Sequence, residues 1–185
     1  IDLYQIHGGT NEDDAAAVVS LMEEFVSEGK IRYYGISSIR PNVFTKYANM
    51  SNAVSNMMQY SMLDTRAEEY MGVLAEANMS IIARGVLAQG ILINKNPKPY
   101  LDFTVEEVSQ LQQQLKAGAA HYNMSTAALA LHYVLEKPIV ASALVGVRTI
   151  AQLDTLLAAY TEVQQQPIEV DQFVEKKIYY KDHLL

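Results

Sequence analysis

The chain has 185 residues, of which 50% are hydrophobic, and it carries a formal net charge of −7 at neutral pH. This length and composition predict one globular domain over residues 1–185, and the acidic balance without clustered Lys and Arg argues against nucleic-acid binding. The absence of cysteine excludes disulfides and zinc–thiolate sites, and the apolar runs are too short to cross a bilayer, so we expect a cytoplasmic protein.

Short β-branched and aromatic runs alternate along the chain with longer segments of helical periodicity. The acidic run NEDD at 11–14 is typical of a helix start, where negative charge complements the helix dipole, so it is preferred to a metal site and no metal is expected. In chain order the pattern predicts a strand at about 2–6, a helix from 11–14 to Gly29, a strand at 33–37, a helix opened by Pro41, a strand at 55–59, a helix at 66–78, a strand at 80–84, a polar loop at 94–99, a helix from the capping box of Thr104 and Glu107 to His121, a helix at 125–136, a strand at 141–145, and helices at 149–160 and 167–180.

This alternation is typical of βα units around a parallel sheet. Five such strands fit either an open doubly wound sheet or part of a barrel. An open nucleotide-binding sheet needs a Gly-rich phosphate turn after its first strand, and Gly8-Gly9-Thr10 lacks the spacing of that motif. We therefore predict an α/β fold, a partial (β/α)8 TIM barrel with about five parallel strands and surrounding helices.

Polar residues at the carboxyl ends of the strands are the candidates for chemistry, because the loops there form the active face of a barrel. A strand-end histidine is commonly structural, paired serines often form a turn, and an arginine at a helix start is often an ordinary surface residue. If the strands are parallel neighbours, however, these groups all converge on one rim. They are His7, Ser37 with Ser38, Gln59, Arg84, and Gly146 with Arg148.

Five segments match one family in the same order. They are DLYQIH at 2–7, GKIRYYGISS at 29–38, QYSMLD at 59–64, IIARGVLAQGIL at 81–92 and GVRT-x-x-QL at 146–153. With these segments the chain resembles the aldo-keto reductases from their fourth barrel strand to the end. The resemblance implies an NAD(P)H-dependent oxidoreductase that reduces aldehydes or ketones to alcohols.

The resemblance also implies roles for individual residues. His7 matches the histidine of the family's Asp-Tyr-Lys-His tetrad, which orients the substrate carbonyl. Ser37 and Gln59 match contacts to the nicotinamide carboxamide, and Ser38 stands where the family usually has Asn. Arg84 stands where many members place a Tyr under the nicotinamide, and a guanidinium plane can also stack on a ring. The resemblance assigns Leu87, Gln89 and Gly90 to the pyrophosphate, and Gly146, Arg148 and Gln152 to the adenosine end.

The adenosine end carries the choice of cofactor. The planar fork of donors on Arg148 suits a 2′-phosphate and favours NADP, with NAD as the alternative. Leu156 stands where the family has an Asn, so the chain departs there from the family's pattern of adenine recognition. The sequence does not identify the carbonyl substrate.

The family's tetrad Asp, Tyr and Lys come from its first three barrel strands, which these 185 residues do not contain. We expect the chain to be a truncated, C-terminal portion and by itself a poor reductase, because negative charge developing on the carbonyl oxygen lacks a positioned donor. The alternative function is a catalytically inactive half-barrel that binds a cofactor or a partner. A partial barrel exposes two sheet edges, so we also expect self-association through those edges.

Overall fold

A computed structural model describes residues 1–93, 95–165 and 168, and it contains a five-stranded sheet in the order β1-β2-β3-β4-β5. The strands are β1 (Leu3–His7), β2 (Tyr33–Ser37), β3 (Ser55–Gln59), β4 (Ser80–Arg84) and β5 (Val140–Leu144). Strand β2 pairs in parallel with both β1 and β3. The predicted α/β fold with parallel strands is confirmed, and only the first and last strands are displaced, each by one residue.

The helices surround these strands, and several begin and end where local side-chain chemistry predicts. The Asp14 carboxylate accepts a hydrogen bond from the Ala17 N–H at the first helix start, and Gly29, with φ of +71°, follows its end. The predicted capping box of Thr104 and Glu107 is present. The helices are α1 (Ala15–Ser27), α2 (Pro41–Met50), α3 (Met71–Glu76), α4 (Val105–His121), α5 (Thr126–Leu135) and α6 (Ile150–Gln165).

Two predicted helices differ from the observed ones. The single helix predicted at 66–78 is wrong, because a 3-10 helix (Arg66–Tyr70) precedes α3. Tyr70 has φ of −114° and ψ of 0°, outside the α-helical values, and its ring packs edge-on against Phe44 at 5.3 Å between centroids. Helix α6 continues to Gln165 instead of ending at 160. The helix predicted at 167–180 lies outside the described residues, except for residue 168.

The chain divides into two compact units, and the described part of the first comprises residues 1–58 and 66–82. Its core contains Ile36, Phe44 and Leu74, all fully buried. The Tyr34 hydroxyl donates a hydrogen bond to the Glu23 carboxylate of α1, and burial together with this carboxylate raises the pKa of Tyr34 to about 12. The phenol is therefore a neutral donor that links β2 to α1 at physiological pH.

The described part of the second unit comprises residues 59–65, 83–93, 95–165 and 168. Its core includes the rings of Tyr60 and Tyr133, whose centroids lie 5.4 Å apart. The Ser125 N–H at the start of α5 donates to the Glu162 carboxylate of α6 at 2.5 Å. Throughout residues 1–93, 95–165 and 168, no helix has the length and apolar character needed to cross a membrane, and no three metal-binding side chains cluster.

His132 in α5 gives the second unit a pH dependence that can be measured. Burial lowers the pKa of His132, against the opposing effect of the Glu136 carboxylate, 3.5 Å from His132 Nδ1 and also paired with Lys137. Because the folded-state pKa lies below the unfolded value of about 6.5, the unfolded chain takes up the proton first, and the contribution to stability is lost as pH falls below about 6.5. Urea midpoints measured from pH 7.5 to 5 should therefore fall more for the natural chain than for His132→Gln.

The exposed His121 of α4 offers a matched control. His121→Gln should keep the full pH dependence of the natural chain. Identical midpoint profiles for His132→Gln and the natural chain would contradict the assignment.

Candidate functional site

In the first unit, two candidate residues end neighbouring strands. His7 is the last residue of β1 and Ser37 the last of β2, and the two are partners in the parallel register. His7 is exposed and Ser37 is half-buried. Neither side chain makes a hydrogen bond to another residue in the described part of the chain. The structure thus places these two residues side by side at the carboxyl ends of paired strands.

Ser38 has a different environment. It is buried, its N–H donates to Asn56 Oδ1 at 3.2 Å, and its hydroxyl accepts a hydrogen bond from the Arg40 N–H at 3.2 Å. The Arg40 guanidinium in turn donates to the Gly9 carbonyl at 2.8 Å, which ties the loop after β2 to the loop after β1. The hydroxyl oxygen of Ser38 therefore already accepts a local hydrogen bond, which is the kind of contact expected when paired serines form a turn.

In the second unit, Gln59 ends β3 and Arg84 ends β4. The Tyr60 N–H donates to the Arg84 carbonyl at 3.1 Å. A Cβ added to Gly85 would lie 3.6 Å from Gln59 Cγ, so the two strand ends approach closely. The side chains of Gln59 and Arg84 are half-buried, and neither has a hydrogen-bond or ion-pair partner among the described residues. Partly buried polar groups of this kind are suited to holding a ligand.

The loop after Arg84 has an unusual backbone. Ala88, Gln89 and Gly90 have φ values of 45°, 59° and 89°, and Gly85 has φ of 70°. Left-handed backbone at non-glycine residues is strained and occurs often at ligand-binding turns. The Leu87 side chain is buried, so this residue offers only its backbone to a ligand.

Two lysines that follow this loop were not among the sequence candidates. Lys98 Nζ donates to Gln89 Oε1 at 3.2 Å, and the aliphatic stem of Lys95 lies 3.4–3.7 Å from the position a Cβ would take at Gly90. Segment 94–99 was predicted as a simple polar loop. Two lysines three residues apart could have indicated an anion site from the sequence. Their proximity to the predicted pyrophosphate loop, however, depends on tertiary contacts with Gln89 and Gly90.

The last group of candidates lies at the start of α6. The Arg148 N–H donates to Gln152 Oε1 at 2.8 Å, and the Gln152 N–H donates to Thr149 Oγ1 at 3.2 Å. Gly146, Arg148 and Gln152 are all exposed. The Gln152 amide oxygen is therefore engaged in starting the helix, whereas the Arg148 guanidinium projects from an open surface.

Known proteins resemble the chain over its whole length. The sequence model of the Aldo/keto reductase family matches residues 1–177. An uncharacterized oxidoreductase of Bacillus subtilis, YqkF, is 39% identical over 194 residues, which cover 99% of this chain and 63% of that protein. The holo form of aldo-keto reductase AKR11C1 from Bacillus halodurans is 36% identical with a TM-score of 0.89, over 100% of this chain and 62% of that one.

A more distant relative carries a cofactor in its name. The aldo-keto reductase yakc [NADP(+)] of Schizosaccharomyces pombe is 26% identical over 103 residues, 54% of this chain and 30% of that protein. The chain spans less than two-thirds of the length of both Bacillus relatives. The structural likeness to AKR11C1 supports the predicted relationship to the TIM-barrel fold.

Proposed function

The chain belongs to the aldo/keto reductase family, and from this premise we propose that it acts as an NAD(P)H-dependent oxidoreductase, which reduces aldehydes or ketones to alcohols. One observation carries the proposal. The polar side chains that end the first four strands have no hydrogen-bond partner among the described residues, although three of the four are half-buried; they are His7, Ser37, Gln59 and Arg84. We assign the protein to the cytoplasm, in keeping with the absence of cysteine from its 185 residues.

The described residues fit the chemistry of a nicotinamide dinucleotide. Its carboxamide needs hydrogen-bonding side chains, and neither Ser37 nor Gln59 uses its side chain in a hydrogen bond to another described residue. Its diphosphate needs positive charge near a strained or glycine-containing backbone, which Lys95, Lys98 and the 88–90 turn supply in the second unit. Ser38 fits less well as a direct contact, since its hydroxyl oxygen already accepts from Arg40.

Each of the four strand-end residues has its own role in the proposed reaction. When bound, the nicotinamide supplies the hydride. In the first unit, Ser37 would hydrogen-bond the carboxamide of the nicotinamide. In the second unit, Gln59 would offer the same kind of contact, and the planar Arg84 guanidinium would suit stacking on a ring. His7 donates a hydrogen bond to the substrate carbonyl oxygen and orients it for attack.

Arg148 is the residue we expect to select NADPH over NADH. Its guanidinium is exposed and can pair with a 2′-phosphate through two parallel hydrogen bonds. In fluorescence titrations of the 185-residue chain, Arg148→Met should weaken NADPH binding about tenfold and leave NADH binding unchanged. The expected loss is modest because an ion pair at an exposed arginine is screened by solvent. Gly146 and Gln152 are the neighbouring adenosine contacts that we propose.

The matched control is Arg32→Met. It removes an exposed arginine that pairs with Asp2 and directly precedes β2, at the end of that strand opposite to Ser37. This variant should bind both cofactors as the natural chain does. Failure of the natural chain to bind either cofactor would overturn the proposed function, whereas equal losses for NADPH and NADH would overturn only the role of Arg148.

A second candidate function, an interaction module, is favoured by the exposed apolar side chains of edge strand β5 and of α6. Strands β1 and β5 end the sheet order, and edge strands with apolar side chains promote association. The exposed apolar side chains of β5, of α6 and of the segment between them are Leu144, Val147, Ile150, Leu153, Leu157 and Tyr160. We propose self-association through such an edge.

A lysine on the edge strand tests this association. Leu144→Lys should weaken self-association about tenfold or more in light scattering, because a charge on an edge strand opposes pairing. Val73→Lys replaces a comparably exposed apolar residue on α3 and should have no effect. A natural chain that is monomeric at every concentration measured would exclude the interaction module.

A further inference from the structure

The peptide bond between Ser37 and Ser38 is held at both of its polar atoms. Its oxygen, on Ser37, accepts a hydrogen bond from the Gly8 N–H at 2.9 Å. Its nitrogen, on Ser38, donates to Asn56 Oδ1 at 3.2 Å. Fixing a peptide plane fixes ψ of the residue before it and φ of the residue after it. The direction in which the Ser37 side chain leaves the backbone is therefore set by Gly8, which directly follows β1, and by Asn56 of β3.

Asn56 is an unusual residue for its location. It lies in β3 opposite Ile36 and is fully buried, although an asparagine in a buried strand costs free energy unless its amide is satisfied. Its Nδ2 donates to the Met58 sulfur at 3.3 Å, which is a weak acceptor. The strong partner of this buried amide is the Ser38 N–H. A backbone N–H can only donate, so the amide oxygen must face Ser38.

We propose that Asn56 is a positioning residue for the cofactor: by holding the Ser37–Ser38 peptide, it presents the Ser37 hydroxyl to the nicotinamide carboxamide. This inference rests on the proposed function. The Ser37 hydroxyl is half-buried and has no hydrogen-bond partner among the described residues, so its use depends on its direction. Without the Asn56 acceptor, the Ser38 N–H is left unsatisfied in a buried place, and the peptide is held only at its oxygen, by the Gly8 N–H.

Paired substitutions separate positioning from simple loss of stability. Asn56→Ala should weaken NADPH binding about tenfold in fluorescence titrations, as expected for an effect of one hydrogen bond. Asn56→Asp keeps an acceptor oxygen for the Ser38 N–H and should restore most of the affinity. Leu74→Ala, a fully buried site of the same unit away from the turn, controls for destabilisation and should bind NADPH normally when folded.

The decisive measurement is a double-mutant cycle with Ser37→Ala. If Asn56 acts through the Ser37 hydroxyl, Asn56→Ala should cause no further loss of NADPH affinity once that hydroxyl is gone. Additive losses, or a loss no larger than that of Leu74→Ala, would overturn the inference while leaving the proposed function intact. Absence of NADPH binding by the natural chain would instead overturn both.

Hydrogen exchange of the natural chain tests the contact even if the Asn56 variants do not fold. The Ser38 amide should exchange slowly, because it is buried and hydrogen-bonded. An exchange rate like that of an unprotected loop amide would show that Asn56 does not hold this peptide, and would overturn the inference whatever the cofactor titrations give.

Discussion

Replacing Gly35 with alanine is expected to lower the free energy of unfolding by about 3 kcal/mol, the upper part of the usual range for an overpacked site. A Cβ there would lie 2.3 Å from Ser55 Oγ, 2.6 Å from the Ser55 carbonyl oxygen and 2.7 Å from Gln5 Nε2. The Gln5 amide and the Ser55 hydroxyl are joined by a 2.7 Å hydrogen bond, and the carbonyl belongs to the backbone of β3. None of the three atoms can move aside without loss, and urea unfolding measures the cost.

Gly72 provides the matched control for this substitution. It lies in α3, and no atom lies within 4 Å of a Cβ added to it. Gly72→Ala should stabilise the chain by about 0.5–1 kcal/mol, because alanine favours the helix over glycine. Adding Ser55→Ala to Gly35→Ala should restore part of the lost stability by removing the nearest atom. Equal stability of Gly35→Ala and the natural chain would contradict the close approach of β2 and β3.

Replacing Lys95 and Lys98 together with methionine is expected to weaken NADPH binding on the order of a hundredfold. Two charge-assisted hydrogen bonds to phosphate, at about 1.5 kcal/mol each, account for a loss of this size. Both lysines lie at the left-handed turn of 88–90, Lys98 through Gln89 and Lys95 along Gly90. Methionine keeps much of the apolar stem, so the substitution removes mainly the charge. Fluorescence titration with NADPH gives the two dissociation constants.

Salt dependence provides a second measurement of the same prediction. Affinity of the natural chain for NADPH should fall as salt is added, and the double variant should show a weaker dependence, because fewer charges are screened. Lys116→Met, an exposed lysine on α4, should change neither the affinity nor the salt dependence. Natural affinity in the double variant would show that this loop does not hold the diphosphate.

Local chemistry explains why much of the candidate site could be predicted. The strand-end positions of Ser37, Gln59 and Arg84 followed from short runs rich in β-branched and aromatic residues between helical segments, and all three strands have the predicted bounds. His7 lies at the end of its strand, one residue beyond the predicted boundary. The cofactor roles of these residues stay predictions. Lys95, Lys98 and Asn56 could not be found in this way, because each acquires its role from a contact that local periodicity does not encode.

The amino-acid sequence was sufficient for the element order, the parallel α/β class, and helix starts such as the Thr104–Glu107 capping box. These features depend on groups within a few residues of one another. Tertiary packing alone decided that the segment after Arg66 begins as a 3-10 helix, that Gly35 admits no side chain, and that Asn56 holds Ser38. The hydrogen bond from Ser38 to Asn56 spans 18 residues and that from Gln5 to Ser55 spans 50. Neither hydrogen bond can form until separate strands have come together.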